Sequence, residues 1–432
     1  MFRAIVTLLI LTSIFVWSYI FFREPFELYL SYVVYALLFP FFFMRYGVPK
    51  RPIYLFIPIL IAGITYSAVG LNEASQFWKV FIGFFSSTLF FHYVIQLYNF
   101  DIKLLFRYYM KTSVIISLIG LFQLISYTVG FSLGYDYGWI FNKWSYTSGG
   151  LGIRVNAIFS EPSYYAAVLV PAFFVSIYNL STRSPVFISK RQSILIGITY
   201  LLTFSSVGIA GVFLVILLLL LNFGFVRYAI VFIPLLIFSS QYAYEKVPEF
   251  RDRYDGTIEI FTTHNYKSYD IHGSSFVLYN NYHVALENFK RNPLFGTGLG
   301  SHPTAFDKYS LTNLSGAVDI DFNKMDANSM LLRLMSETGI YGLAVFIMLL
   351  VKCWIFKPRA KSREHWIISN ALACIILLYL LRQGHYFLNG FPFFLWMFFY
   401  LAKDNADELE HEGKVTEVQE AAPGTVPSVV SA

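Results

Sequence analysis

Charged residues are scarce in this chain of 432 residues: Asp, Glu, Lys and Arg together make up 13% of it, whereas a soluble protein usually contains roughly 25%. Hydrophobic residues make up 56% and aromatic residues 20%. Apolar runs of about 18 residues or more recur, which is the length that crosses the hydrocarbon core of a bilayer. The scarcity of charge excludes an ordinary soluble domain and predicts an all-α polytopic membrane protein.

Cysteine is nearly absent as well. Cys353 stands at the end of a predicted membrane span and Cys374 in the middle of another, so we expect neither a disulfide nor a thiolate metal site. Four histidines of the longest polar stretch lack the spacing of metal ligands, and we interpret them as loop residues, with a catalytic role as the alternative. They are His264, His272, His283 and His302. We therefore expect no metal and no cofactor.

Twelve apolar segments predict transmembrane helices. They cover residues 4–22, 26–44, 53–70, 77–98, 112–131, 163–180, 193–207, 209–226, 228–240, 335–352, 366–382 and 391–402. The first segment follows Arg3 and resembles a signal peptide, but no small-residue cleavage site comes after it. We therefore expect it to be retained as the first helix.

Lys and Arg residues are distributed unequally between the two sides of this topology. The short loops on one side hold most of them, whereas the opposite short loops carry only Arg23, Lys143, Arg154 and Arg382. The positive-inside rule places the Lys- and Arg-rich side, with both termini, in the cytoplasm. This topology also explains the net charge of +6 without a nucleic-acid partner.

The longest polar stretch runs from Gln241 to Met330. We expect it to cap the site as part of a large extracytoplasmic loop, 241–334, inserted before the tenth span. The polytopic membrane domain, residues 1–403, would be the scaffold. Residues 404–432 are acidic and then rich in Ala, Pro, Val and Ser, which predicts a disordered cytoplasmic tail.

The first stretch with candidate chemistry runs from Arg154 to Ala166 and enters the sixth predicted span. Ser160 as N-cap, Glu161 at the helix dipole and Pro162 in the first turn would start that helix. Arg154 precedes the span by a few residues, so its guanidinium lies at the membrane surface. There it either binds phosphate oxygens of a ligand or extends toward lipid headgroups.

The second stretch is Asn292-Pro-Leu-Phe-Gly-Thr-Gly-Leu-Gly300. It follows an amphipathic segment with helical spacing. Its three glycines predict a turn that brings backbone amides near an anion. Because no strand precedes it, we do not expect a dinucleotide site.

The third stretch begins at Asp326 and leads into the tenth predicted span. Asp326 or Ser329 can cap this helix, and Arg333 and Glu337 are four residues apart and can pair. The functional alternative places Asp326, Asn328 and Arg333 around a pocket at the membrane surface.

Taken in order, these stretches resemble the O-antigen ligase/polymerase superfamily of bacterial membrane proteins. The resemblance rests on Arg154 with Phe159-Ser-Glu-Pro-Ser163, on residues 292–300, and on Asn328 with Ser336-Glu-Thr-Gly-Ile-Tyr-Gly-Leu343. The predicted topology, with one large outer loop before the tenth span, is also similar.

The resemblance implies a metal-independent, inverting glycosyltransferase at the outer face of the bacterial inner membrane. Its donor would be an oligosaccharide on undecaprenyl diphosphate, and its protein partners would include a flippase and a chain-length regulator. Arginines would hold the diphosphate, because fixed guanidinium groups stabilise the charge of the leaving group, and a base would activate the acceptor hydroxyl. Five aromatic residues would either stack on sugars or anchor the first outer loop at the interface: Tyr135, Tyr137, Trp139, Trp144 and Tyr146.

Two departures from the family pattern bear on the activity. Asn328 stands where ligases usually have a histidine, and residues 276–281, where a second arginine is expected, contain none. Asp326, Glu161 or a histidine of the large loop is then the candidate base. The candidate second cations are Arg251, Arg253, Arg291 and Arg333.

The resemblance therefore predicts a polymerase of lipid-linked repeat units, of O-antigen or exopolysaccharide, that moves the growing glycan onto a new unit. One alternative is an O-antigen ligase, which attaches polymer to a lipid core. Another is a lipid-linked oligosaccharide flippase, which would need polar residues along a route through the spans. Lys79 and His92 in the fourth span are about all that the sequence offers for such a route.

Overall fold

The computed structural model describes residues 2–24, 26–149, 152–223, 248–262, 273–312 and 322–421, with isolated positions 234, 237, 238, 240–242 and 244–246. Its helices are α1 (Phe2–Phe15), α2 (Leu30–Tyr46), α3 (Lys50–Ala68), α4 (Ala74–Leu97), α5 (Ile102–Thr128), α6 (Ser132–Tyr135), α7 (Pro162–Ser181), α8 (Lys190–Leu201), α9 (Ser206–Phe223), α10 (Pro248–Thr262), α11 (Gly273–Arg291), α12 (His302–Tyr309), α13 (Met330–Cys353), α14 (Arg363–Arg382) and α15 (Phe391–Ala421). Strands β1 (Thr147–Ser148) and β2 (Ile153–Arg154) form a short antiparallel pair. About 74% of the described residues are helical, which agrees with the predicted all-α class.

Six of the described helices are long and apolar enough to cross a membrane: α4, α5, α7, α9, α13 and α14. Three shorter apolar helices lie within α1, α2 and α3. Large hydrophobic side chains such as Ile347, Met348 and Val351 are exposed on α13, as expected for a surface that faces lipid. The chain is thus a helical membrane protein. Twelve spans stay a prediction, and most of the predicted ninth span, 228–240, lies outside the described residues.

The first helix is shorter than its apolar run. The sequence predicted a span at 4–22, but α1 ends at Phe15. The apolar residues that follow have another role, because Trp17 and Ile20 are buried against Tyr29 in the loop before α2. Packing within this loop, rather than contact with lipid, explains why the run continues past the helix.

Helix α7 lies at the centre of the bundle. It packs on α8, α9 and α14, and both α7 and α14 are more enclosed than the other candidate spans. Pro162 is its first residue, as predicted, but the cap position belongs to Glu161 rather than to Ser160, and Glu161 makes no capping hydrogen bond. Ser163 donates to the Glu161 carboxylate instead, at 2.9 Å.

Several loops meet at one end of the bundle. Backbone hydrogen bonds join the loop at 16–29 to the loop at 129–161, and that loop to the turn at 202–205. The Ser329 hydroxyl, which caps α13, also donates to the Leu380 carbonyl at 2.7 Å. We call this end, where the loops at 16–29 and 129–161 and the turn at 202–205 meet, the Arg154 face. The loop at 354–362 and the end of α15 meet at the opposite face.

Helix α15 continues past the predicted last span as far as Ala421. Residues 404–421 are therefore helical in the structure, although the sequence pattern predicted disorder from residue 404. Contacts with the bundle hold the first turns of this extension. Asp404 Oδ2 lies 3.1 Å from His365 Nε2, and Glu408 Oε1 lies 3.4 Å from Lys103 Nζ.

Candidate functional site

Helix α13 is broken at Gly339, whose φ of 59° and ψ of −150° are readily adopted only by glycine. The glycine-rich loop at 292–300 packs directly against this break. Four backbone hydrogen bonds join them: Thr297 to Ser336, Gly298 to Glu337, Ile340 to Pro293 and Tyr341 to Leu294, at 2.8 to 3.2 Å. The second and third stretches of the sequence analysis are thus one structural unit.

This packing corrects the expectation that the glycine loop approaches an anion. The amides of Thr297 and Gly298 donate to the carbonyls of Ser336 and Glu337 beside the helix break, where backbone groups need partners outside the helix. A Cβ on Gly296 would lie 2.4 Å from the Glu337 carbonyl carbon. The loop therefore needs glycine for close backbone contact, and its role is to brace α13.

Arg333 and Glu337 form a buried ion pair in the part of α13 that the glycine loop contacts. Arg333 and Glu337 pair as their spacing predicted, with Arg333 Nε and Nη2 each 2.9 Å from Glu337 Oε1. Their side chains are 4% and 0% exposed. A charged pair enclosed in a membrane protein is costly unless its remaining hydrogen bonds are satisfied, so the other partners of this pair are informative.

Those partners lie in the loop between α14 and α15. Arg333 Nη1 donates to the Gly384 carbonyl at 2.8 Å, and the Tyr386 hydroxyl donates to Glu337 Oε2 at 3.0 Å. The guanidinium also lies over the Tyr386 ring, 4.5 Å from its centroid. The ion pair thus holds the residues on both sides of His385. Arg333, a predicted binder of diphosphate, directs its donors into the protein.

His385 is held against the third candidate stretch. Its Nε2 lies 3.1 Å from Asp326 Oδ2 and 3.1 Å from the Tyr164 hydroxyl. In the neutral ring, a proton on Nε2 can donate to Asp326, which leaves the lone pair of Nδ1 as the basic site. A carboxylate that fixes the tautomer of a histidine in this way is a common arrangement for proton transfer.

Asp326 remains ionised in this setting. Burial acts to raise its pKa, but the neighbouring His385, the Asn328 backbone N–H and Arg333 outweigh burial and hold the pKa at about 2. The backbone N–H of Asn328 donates to Asp326 Oδ1, with 3.1 Å between the nitrogen and the oxygen. Asn328 therefore contributes its backbone to the site, and its φ of 53° is in the left-handed region that asparagine tolerates.

Gly384 allows Asp326 and His385 to come together. A Cβ at this position would lie 1.5 Å from the Asp326 carbonyl oxygen. Gly384→Ala is therefore expected to push the two loops apart and to cost about 1–3 kcal/mol, as overpacking does. The measurement is the apparent melting temperature of the purified protein in detergent.

Gly197→Ala is the matched control, because no atom lies within 4 Å of a Cβ built at Gly197. It is expected to leave the melting temperature unchanged or slightly raised. Equal melting temperatures for the Gly384 and Gly197 variants would contradict the packing described here.

The other predicted base, Glu161, lies near this group. Glu161, Glu27 and Asp326 are all close enough to Tyr164 to interact with it electrostatically. Glu161 itself is exposed at the start of α7. Three carboxylates thus lie within electrostatic range of Tyr164, and one of them, Asp326, contacts His385 directly.

Two arginines contact the turn between α8 and α9. Arg154 Nε donates to the Thr203 carbonyl at 3.1 Å, and Arg382 Nη2 donates to Ser206 Oγ at 3.0 Å. Both side chains are partly exposed on the Arg154 face. Because Thr203 and Ser206 are three residues apart, both guanidinium groups reach the same turn, and each has the donors to bind the oxygens of an anion.

The remaining predicted cations lie elsewhere. Arg291 stacks on the Tyr309 ring, 5.1 Å from its centroid, and is exposed. Arg251 donates to the carbonyls of Tyr244 and Glu245. The Arg253 side chain lies outside the described residues.

The loop histidines are only partly described. His264 and His272 lie outside the described residues, and His302 is fully buried with Nε2 2.9 Å from Asn281 Oδ1. Burial, helped by the charge of Arg333, lowers the pKa of His302 to about 3. His302 is therefore a neutral structural residue at physiological pH.

Four of the five predicted aromatic residues of the first outer loop divide into two groups, and the fifth, Tyr135, is half-buried with its ring against Tyr127 and Tyr146. Tyr137 is buried, with its ring centroid 5.4 Å from that of Trp144. Trp139 is 65% exposed and Tyr146 is 44% exposed. Only the second pair presents a large free surface to a ligand or to the membrane interface.

One cluster on the opposite face has the composition of a metal site. Possible ligand atoms of His365, Asp404 and Glu408 lie within 4.8 Å of one another. Each has a protein partner, because His365 contacts both Ser362 and Asp404 and Glu408 pairs with Lys103. The lysine supplies the positive charge that a metal ion would otherwise bring.

Three residues of this site were missed by sequence reasoning: His385, Tyr164 and Arg382. The predicted topology contained a usable signal, because it placed residues 383–390 in a short loop on the same side as Arg154. A histidine in such a loop is a candidate for chemistry on that face. No protein-family model matches the chain, and no curated protein matches it.

Proposed function

We propose that this protein is a polymerase of lipid-linked oligosaccharide repeat units that acts at the outer face of the bacterial inner membrane. It would transfer the growing glycan from undecaprenyl diphosphate to a new lipid-linked unit, as a metal-independent, inverting glycosyltransferase. The observation that carries this proposal is the contact of His385 with Asp326 on the Arg154 face, the face that also carries Arg154 and Arg382.

The reaction needs a base, and His385 is the group best suited to this role. A hydroxyl of the acceptor sugar would give its proton to His385 Nδ1 while its oxygen attacks the anomeric carbon of the donor. Asp326, held ionised, stabilises the imidazolium that forms. Because Asp326 Oδ1 and Oδ2 already bind Asn328 and His385, we assign Asp326 a positioning role rather than that of the base.

The reaction also needs cations at the leaving group. As the bond between the anomeric carbon and the diphosphate oxygen breaks, the diphosphate takes up the electron pair, and fixed guanidinium groups stabilise this charge. Arg154 and Arg382 are the partly exposed pair on the same face. Arg382 thereby takes the place of the second arginine that the sequence pattern lacks, while Arg333 holds the loop that carries His385.

Arg154→Ala is expected to lower the amount of polymer about tenfold while leaving the protein folded and inserted, because Arg382 remains as a second cation. Arg154→Lys keeps the charge but not the fork of donors, so it is expected to lie between the wild type and Arg154→Ala. The measurement is the glycan ladder of a deletion strain complemented with each variant at matched protein level.

Arg291→Ala is the matched control and is expected to leave the ladder unchanged, because Arg291 is an exposed arginine that stacks on Tyr309. A full-length ladder from Arg154→Ala would remove Arg154 from the site. The same loss from both variants would indicate a general effect of surface charge.

Deletion of the gene separates polymerase from its alternatives. Surface and lipid-linked glycans of the deletion strain are compared on a gel. Single repeat units without a ladder are the expected result for a polymerase. A normal ladder retained on the polyprenyl carrier would indicate a ligase, and repeat units that stay on the cytoplasmic side would indicate a flippase.

A further inference from the structure

A cleft on the opposite face has the composition of a lipid site. It lies between the end of α13, the loop at 354–360 and one side of α15, and its volume is about 440 Å³. We propose that this cleft binds an anionic phospholipid, with the phosphate held by Lys352 and Arg359 and the acyl chains on the apolar wall. This site is separate from the proposed glycan chemistry.

The charge of the cleft is of one sign. Among the described residues that line it, Lys352 and Arg359 are charged and none is acidic. Helix α15 is acidic beyond residue 403, but two of its carboxylates face away from the cleft. Asp404 and Glu408 lie one turn apart on the side that faces His365 and Lys103.

The side of α15 that lines the cleft is uncharged. It consists of Ala402, Asn405, Ala406 and Leu409, whose spacing of three and four residues defines one side of a helix. Asp404 and Glu408 thus lie on the opposite side of the helix. Among the described residues that line the cleft, an anion meets two cations and no carboxylate.

The apolar part of the cleft faces outward. Val351 is 74% exposed and Leu409 is 44% exposed, and both line the cleft beside Trp354. Exposed aliphatic side chains next to a tryptophan are typical of the boundary between acyl chains and headgroups. Lys352 follows the apolar run of α13 directly, which places its ammonium at headgroup level.

Hydrogen bonds within the protein hold the walls in place. Asn405 Nδ2 donates to the Arg359 carbonyl at 3.2 Å, and Asn405 Oδ1 accepts from the Lys361 N–H at 2.8 Å. Trp354 Nε1 donates to Asn370 Oδ1 at 3.1 Å. A preformed cleft with two cations above an apolar wall suits a phosphate diester with attached acyl chains, since basic pockets at this level bind anionic headgroups.

The test uses the full-length protein purified in a neutral detergent. Dioleoyl phosphatidylglycerol, dioleoyl phosphatidylcholine and inorganic phosphate are titrated separately, and bound lipid is counted by native mass spectrometry. We expect saturable binding of phosphatidylglycerol, with at least about tenfold weaker binding of phosphatidylcholine. Equal binding of the two lipids, or full competition by inorganic phosphate at equal concentration, would overturn the proposal.

Three variants locate the site. Lys352→Gln combined with Arg359→Gln is expected to weaken phosphatidylglycerol binding at least about tenfold, and Ala406→Trp, which fills the cleft without changing charge, is expected to do the same. Arg363→Gln is the matched control, because Arg363 is an exposed cation that does not line the cleft. Unchanged binding in the double variant or in Ala406→Trp would place the lipid elsewhere.

Discussion

Replacing His385 with glutamine is expected to lower the rate of glycan polymerisation by about 100-fold or more, since general base catalysis contributes roughly 10²–10⁴. Glutamine keeps an amide donor for Asp326 but has no nitrogen that can accept a proton. The measurement is the rate of polymer formation by the purified variant, together with complementation of the deletion strain. The melting temperature of the variant should stay close to that of the wild type.

His283→Gln is the control for this prediction, because His283 lies on α11 and outside the group around Asp326. It should polymerise at the wild-type rate. Asp326→Asn tests the positioning role separately. It should lower the rate and change the pH profile, because an amide no longer fixes the His385 tautomer. A normal rate with His385→Gln would exclude His385 as the base.

The second large effect concerns stability. Glu337→Gln leaves the buried Arg333 guanidinium without its counter-charge and is expected to lower the free energy of unfolding by about 3–5 kcal/mol, the usual cost of breaking a buried pair. It also weakens the hold on the loop around His385. We therefore expect a lower melting temperature in detergent and a loss of polymerisation together.

Glu287→Gln provides the comparison, because Glu287 pairs with Lys290 at 2.8 Å on the exposed side of α11. No measurable change is expected there, since surface ion pairs contribute little. Replacing both members of the buried pair, as Arg333→Met with Glu337→Leu, should recover much of the stability but not the activity. Full activity in this double variant would show that the loop does not need the clamp.

Much of the fold follows from local pattern. Apolar length predicted α7 within a residue at each end, and i, i+4 spacing predicted the Arg333–Glu337 pair, because both depend on residues that are close in sequence. The end of α1 was not predictable in this way. Hydrophobicity alone does not distinguish Trp17 and Ile20, which pack against Tyr29 in a loop, from side chains that face lipid.

The site was less predictable, because it depends on contacts between distant residues. The sequence stretches named Asp326 and Arg154 as candidates, but the partner of Asp326 comes 59 positions later in His385, and only tertiary packing joins them. The close approach of Gly384 to the Asp326 backbone leaves no trace in a single sequence. The glycine loop at 292–300 was interpreted from its composition as an anion site, whereas its amides satisfy the break in α13.

The proposal that this protein joins lipid-linked repeat units is tested most directly with purified components. The single lipid-linked repeat units expected to accumulate in the deletion strain are extracted and incubated with the protein in liposomes without divalent metal ions. We expect a ladder of longer lipid-linked glycans, with one undecaprenyl diphosphate released for each unit added. Intact single units after incubation, with the protein folded and inserted, would contradict it.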